Sequence, residues 1–154
     1  MLMKDSQKFF GLYGHQKNTI FHAIAASHDC EDFLGHVEAI SDLEDLQYFL
    51  QLKNADGRTC LHIAAKYQYG RNAEWMIIKM FSMGADLNAQ DDTGNTILHI
   101  AVKKKDYELV DCLLLLPFLE EEIKNNDGLT AYQLAEQDND YKMMTLFFSK
   151  MHDD

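Results

Sequence analysis

Apolar residues recur at i, i+3 and i+4 in three stretches, AEWMIIKMF (73–81), YELVDCLLLL (107–116) and YKMMTLFF (141–148). That spacing puts one apolar stripe on each of three helices. A shorter and more continuously apolar run precedes each of the first two, LHIAA (61–65) and LHIAV (98–102), and opens a short helix rich in small residues. Ala64, Ala65 and Ala101 would let such helices approach their neighbours closely. Further upstream, CEDFLGHVEAISDLEDLQYFLQLKN (30–54) reads as two helical pieces, over 31–40 and 43–51.

The short-helix, long-helix order is a repeat. NADGRTCLHIAAKY from Asn54, DDTGNTILHIAVKK from Asp91 and NNDGLTAYQLAEQD from Asn125 align on a Gly-x-Thr core, and HQKNTIFHAIAAS from His15 is a weaker copy with Asn18 beside the threonine. Gly57, Gly94 and Gly128 fall where a tight turn requires positive φ. Thr59, Thr96 and Thr130 then read as N-caps. His62 and His99 share one repeat position, where a hydrogen bond would tie helix start to finger. Gly84 in GADLNAQ (84–90) reads as a helix C′ residue, with the rest forming one side of a hairpin finger.

These motifs, recurring near the period of about 33 residues plus insertions, resemble ankyrin repeats from about residue 15 onward. The resemblance implies an all-α solenoid of about four stacked helix-turn-helix units with hairpin-like fingers. Its divisions are an N-terminal segment 1–14, a divergent first repeat with a long linker 15–53, and repeats 54–90, 91–124 and 125–154. Departures are visible. Cys60, Ile97 and Ala131 stand where the repeat carries proline at the first helical position. The last unit reads Thr-Ala-Tyr-Gln, without the leucine and histidine, as suits a terminal cap. LLLLPFLEEEIKN closes the third unit in place of a Gly-Ala-Asp finger.

Charge and chemistry narrow the function classes. A net charge of −11 disfavours nucleic acid as partner and suits basic protein surfaces. No apolar run approaches the ~18 residues of a membrane span. Cys30, Cys60 and Cys112 form no metal or disulfide spacing. His28 and His36 flank Cys30 and Asp32 without tight ligand spacing, so no metal is expected. No phosphate loop, nucleophile elbow or zinc-protease motif is present; an enzyme is not expected, and no cofactor. Acidic runs occur at Asp42, Glu44 and Asp45, at Glu120 to Glu122, and at Asp153 and Asp154. Trp75 and the methionines at 76, 80 and 83 follow a helical stripe that reads as core.

The array length, the weak first repeat, GRTCLHIAA (57–65), GADLNAQ, GNTILHIAV (94–102) and GLTAYQLAEQDNDYKMM (128–144) are together similar to the inhibitor-of-κB-like viral ankyrin proteins of parasitoid-wasp polydnaviruses. That resemblance implies a protein-binding inhibitor of Rel/NF-κB dimers that suppresses host immune signalling, monomeric when free. It would act in the host cytoplasm, with the nucleus open to a chain of 17.8 kDa. Asp5-Ser6-Gln7 departs from the Asp-Ser-Gly-x-x-x-Ser box through which cellular inhibitors are marked for degradation, so a signal-resistant inhibitor is expected. An ankyrin adaptor for an unrelated intracellular protein is the alternative. By repeat position, the partner-contacting residues would be Ala55, Asp56, Arg58, Lys66 and Tyr67; Asp92, Thr93, Asn95, Lys103 and Lys104; and Asn126, Asp127, Leu129, Gln137 and Asp138. Tyr67 beside Arg58 has the composition of a binding hot spot.

Overall fold

Thr19, Thr59, Thr96 and Thr130 each stand in extended backbone at a helix N-cap. Each donates its backbone N–H to the side chain three residues on: the Nδ1 of His22 (3.1 Å), His62 (3.1 Å) and His99 (3.2 Å), and the Oε1 of Gln133 (3.0 Å). This is a capping box with imidazole or amide in place of the usual Glu. The computed structural model describes residues 15–27, 35 and 43–149. The helices so opened are α1 (Ile20–Ala26), α3 (Cys60–Tyr67), α5 (Ile97–Lys104) and α7 (Ala131–Gln137). Between and after them run α2 (Leu43–Gln51), α4 (Gly70–Ser82), α6 (Tyr107–Leu114) and α8 (Tyr141–Ser149). No extended strand occurs among the described residues.

The helices form two layers. In one, α1 packs on α3, α3 on α5, and α5 on α7; in the other, α4 packs on α6 and α6 on α8. Ala64, Ala65 and Ala101 are fully buried, and their small side chains permit the close approach within the first layer. Met76, Ile77, Met80, Leu109 and Leu113 fill the space between the layers with no exposed surface. Each contributes about 1.5–3 kcal/mol by leaving water. Each unit thus buries its apolar face on the next, which one helix pair alone could not do.

Several expectations need correction. The second long helix starts at Gly70 rather than residue 73, because its first turn is polar and exposed at Arg71 and Asn72 and carries no apolar period. The third stops at Leu114 rather than 116, its end tightening into Leu115 N–H→Cys112 O and Leu116 N–H→Leu113 O bonds before Pro117. Trp75 is 38% exposed and lies outside the core that holds Met76 and Met80. Gly84 does end α4, in a Schellman pattern: Ala85 N–H donates to Met80 O and Gly84 N–H to Phe81 O, with φ +99° at Gly84. The 31–40 piece lies outside the described residues apart from Gly35, as do Asp5, Ser6, His28, Cys30, Asp32, His36, Asp42, Asp153 and Asp154.

Candidate interaction groove

A finger begins at Asn54, Asp91 and Asn125, and its shape is set by that one side chain. Asn54 Oδ1 accepts from the N–H groups of Asp56 and Arg58, Asp91 Oδ1 from Thr93 and Asn95, and Asn125 Oδ1 from Asp127 and Leu129, all at 2.9–3.1 Å. Each of these residues also accepts a turn-closing bond at its carbonyl from Gly57, Gly94 or Gly128. Those glycines have φ of +69°, +75° and +77°. Lys17 takes the glycine's place in the first unit at φ +52°.

The fingers are stitched to one another by three ladders. Along the backbone, Ala55 N–H donates to Gln16 O, Asp92 N–H to Asp56 O and Asn126 N–H to Thr93 O. Side chains follow: Asn54 Nδ2 donates to Asn18 Oδ1 (3.0 Å), Arg58 Nε to Asp91 Oδ2 (3.5 Å) and Asn125 Nδ2 to Asn95 Oδ1 (3.1 Å). The third ladder is the histidines. His22 Nε2 reaches Arg58 O at 2.7 Å, His62 Nε2 reaches Asn95 O at 3.0 Å, and His99 Nε2 reaches Leu129 O at 3.0 Å. Because Nδ1 accepts a backbone N–H, Nε2 is the protonated donor, and each ring is the neutral tautomer. Burial pushes all three imidazoles below their usual pKa, against the carbonyl contacts that favour charge. The expected tie between helix start and finger is therefore made, and it runs to the finger of the following unit.

Between fingers and short helices lies a groove of about 610 Å³, lined by Arg58, Lys66, Asp91, Asp92, Thr93, Asn95, Ile100, Lys103, Lys104, Asn126 and Asp127. It gathers nine of the expected contact residues from three units. Asp56, Tyr67, Gln137 and Asp138 are exposed but do not line it.

Three of the expected contact residues serve the stack instead. Asn95 is buried, its Oδ1 accepting from Asn125 and its Nδ2 donating to Thr93 Oγ1 at 2.7 Å. Arg58 is held by Asp56 (3.3 Å) and Asp91 (3.5 Å). Burial raises the Asp91 carboxyl, but hydrogen bonds from the Thr93 hydroxyl and from the Asn95 and Thr93 amides outweigh it and hold the group below its usual range. Lys104, with only 11% of its side chain exposed, donates to Ala65 O (3.0 Å) and Gln68 O, pairs with Asp106 (3.2 Å) and lies 3.9 Å over the Tyr69 ring. It thereby caps the C-terminal end of α3 from the next unit. Gln68 does the same for α1, donating from Nε2 to Ala25 O and Ser27 O. Nor does Tyr67 meet Arg58; the cation over its ring is Lys66, at 5.1 Å.

Sequence reasoning missed Gln68 and the role of Asn54, Asp91 and Asn125. The second had a signal, an Asn or Asp at the same place in three units. Among the described residues, no group of three His, Cys, Asp or Glu side chains could hold a metal ion, and no helix is long and apolar enough to cross a membrane. Cys60 is fully buried at the start of α3, its thiol pushed up to about 12 by burial.

Comparison with known proteins agrees with this architecture. The family model for ankyrin repeats (many copies) matches residues 81–135, and that for the single ankyrin repeat matches 56–92. The I-kappa-B like protein N2 of Microplitis demolitor bracovirus (isolate Webb) is 35% identical over 130 residues, covering 82% of this chain and 70% of the relative. Protein C2 of the same virus is 33% identical over 133 residues, covering 86% and 72%. Protein C1 is 42% identical over 94 residues, covering 60% of this chain and 53% of the relative. With the repeat geometry, these alignments show that the chain belongs to the I-kappa-B like ankyrin-repeat proteins of the bracovirus type.

Proposed function

We propose that the chain binds Rel/NF-κB dimers of a host cell through the groove and suppresses immune transcription by occupying them. The observation that carries this reading is the groove itself. Exposed residues of three successive units line one continuous surface, in a chain whose relatives bear the name I-kappa-B like. Catalysis plays no part in it; inhibition follows from masking a surface the dimer needs. The net charge of −11 favours fast, salt-sensitive encounter with a basic partner. Action in the cytoplasm, and persistence of the inhibitor during stimulation, belong to the same proposal. The latter rests on Asp5-Ser6-Gln7, which lacks the glycine of the degradation box.

The test is a titration of the purified chain against Rel-homology dimers at two salt concentrations, with κB-site DNA as competitor. Saturable binding that weakens with salt and excludes DNA is expected. Absence of binding at micromolar concentrations would overturn the reading and turn attention to an adaptor role.

A further inference from the structure

The groove is not uniformly acidic. Asp92 and Asp127 stand exposed on its finger wall, and Lys66 and Lys103 stand exposed on its helix wall, with Ile100 half-buried among the lining residues. The two lysines occupy equivalent places after His62 and His99 on α3 and α5. The ion pairs formed among the described residues use other cations, Arg58 with Asp56 and Asp91, and Lys104 with Asp106. Lys103 Nζ has only a long contact to Asn95 Oδ1 (3.4 Å), and Lys66 Nζ lies over the Tyr67 ring. Two cations and two carboxylates therefore share one groove without ion-pair partners among the described residues. A low-dielectric occupant excluding water from between them would strengthen the field of each row.

We propose that the groove recognises a protein segment whose own charges are split into two rows, carboxylates facing Lys66 and Lys103 and Lys or Arg side chains facing Asp92 and Asp127, with an apolar side chain over Ile100. The inference rests on the Rel-binding reading and specifies the chemistry of the segment bound. It departs from simple attraction of an acidic inhibitor to a basic target. In that simpler case, making the lysine row acidic strengthens binding; with split rows it weakens binding, because like charges are brought together.

Titration of Rel-homology dimers against the full chain and two double variants, K66E/K103E and D92K/D127K, separates these cases. All four positions are exposed, and thermal melts of each variant check that the stack is retained. Split rows predict that both variants weaken binding by about tenfold, the size expected when two rim charges are reversed. The loss should shrink as salt is raised. Unchanged or tighter binding by K66E/K103E overturns the inference, and so does unchanged binding by D92K/D127K. If wild type binds tightly and both variants match it, only the split-row inference fails. If wild type does not bind, the Rel-binding reading fails and the inference with it.

Discussion

Gly94→Ala and Gly128→Ala form a matched pair that isolates the stacking of the fingers. Their φ values, +75° and +77°, are nearly equal. An alanine at either site therefore bears the same left-handed strain of about 1–2 kcal/mol. Their surroundings differ. A Cβ on Gly94 would lie 2.6 Å from Asn126 N and 3.0 Å from Asn125 C, backbone atoms of the next finger, whereas a Cβ on Gly128 meets nothing within 4 Å. Relieving the Gly94 clash means moving a finger held by the Asn126 N–H→Thr93 O and Asn125 Nδ2→Asn95 Oδ1 bonds. Overpacking of that kind adds about 1–3 kcal/mol. Gly94→Ala should thus destabilise by about 2–5 kcal/mol, against about 1–2 kcal/mol for Gly128→Ala. Urea unfolding followed by circular dichroism and by Trp75 fluorescence measures both, coincident curves licensing a two-state comparison. Equal losses, or a larger loss at Gly128, would refute the close finger-to-finger approach.

Acidification should destabilise the fold. The folded pKa values of His22, His62 and His99 are lowered by burial, so their stabilisation is full above the unfolded value of about 6.5 and is lost as pH falls from there through the folded values. Urea midpoints at pH 7.5, 6 and 5 should decline, and H62Q/H99Q should flatten that slope while lowering stability at pH 7.5, since glutamine accepts from the cap as Gln133 does but does not titrate. Lys104→Met should cost about 1–3 kcal/mol by thermal melt, because it strips the α3 carbonyl cap and leaves Asp106 unpaired; a neutral result would reassign Lys104 to the surface. Lys105→Gly should stabilise by about 0.5–1 kcal/mol, since Lys105 ends α5 at φ +59°, a conformation glycine adopts without strain. A loss of stability there would show that the lysine side chain matters more than its backbone.

The sequence announces the scaffold wherever one residue type answers a repeated backbone need. Positive φ demands glycine, an N-cap wants threonine, and one imidazole both accepts from its own cap and donates to the next finger. Those needs recur in each unit, so the letters recur. The interior caps are illegible for the opposite reason. Gln68 and Lys104 both cover the end of a preceding short helix, yet they sit at different places in their units. A short amide reaches Ala25 O from the last turn's end, while a long ammonium reaches Ala65 O from one residue earlier in the register. Likewise Arg58, Asn95 and Lys104 look like surface residues by position. Whether such side chains turn outward or along the stack depends on the partner across the unit boundary, here Asp91, Asn125 and the Ala65 carbonyl.

Hydrogen exchange of the chain alone and bound to a Rel-homology dimer tests the central claim that the groove is the binding surface. Binding should slow exchange at the fingers around Asp92 to Asn95 and Asn126 to Leu129 and along the lysine-bearing ends of α3 and α5. Protection confined to α4 and α6, or none at saturating dimer, would contradict it.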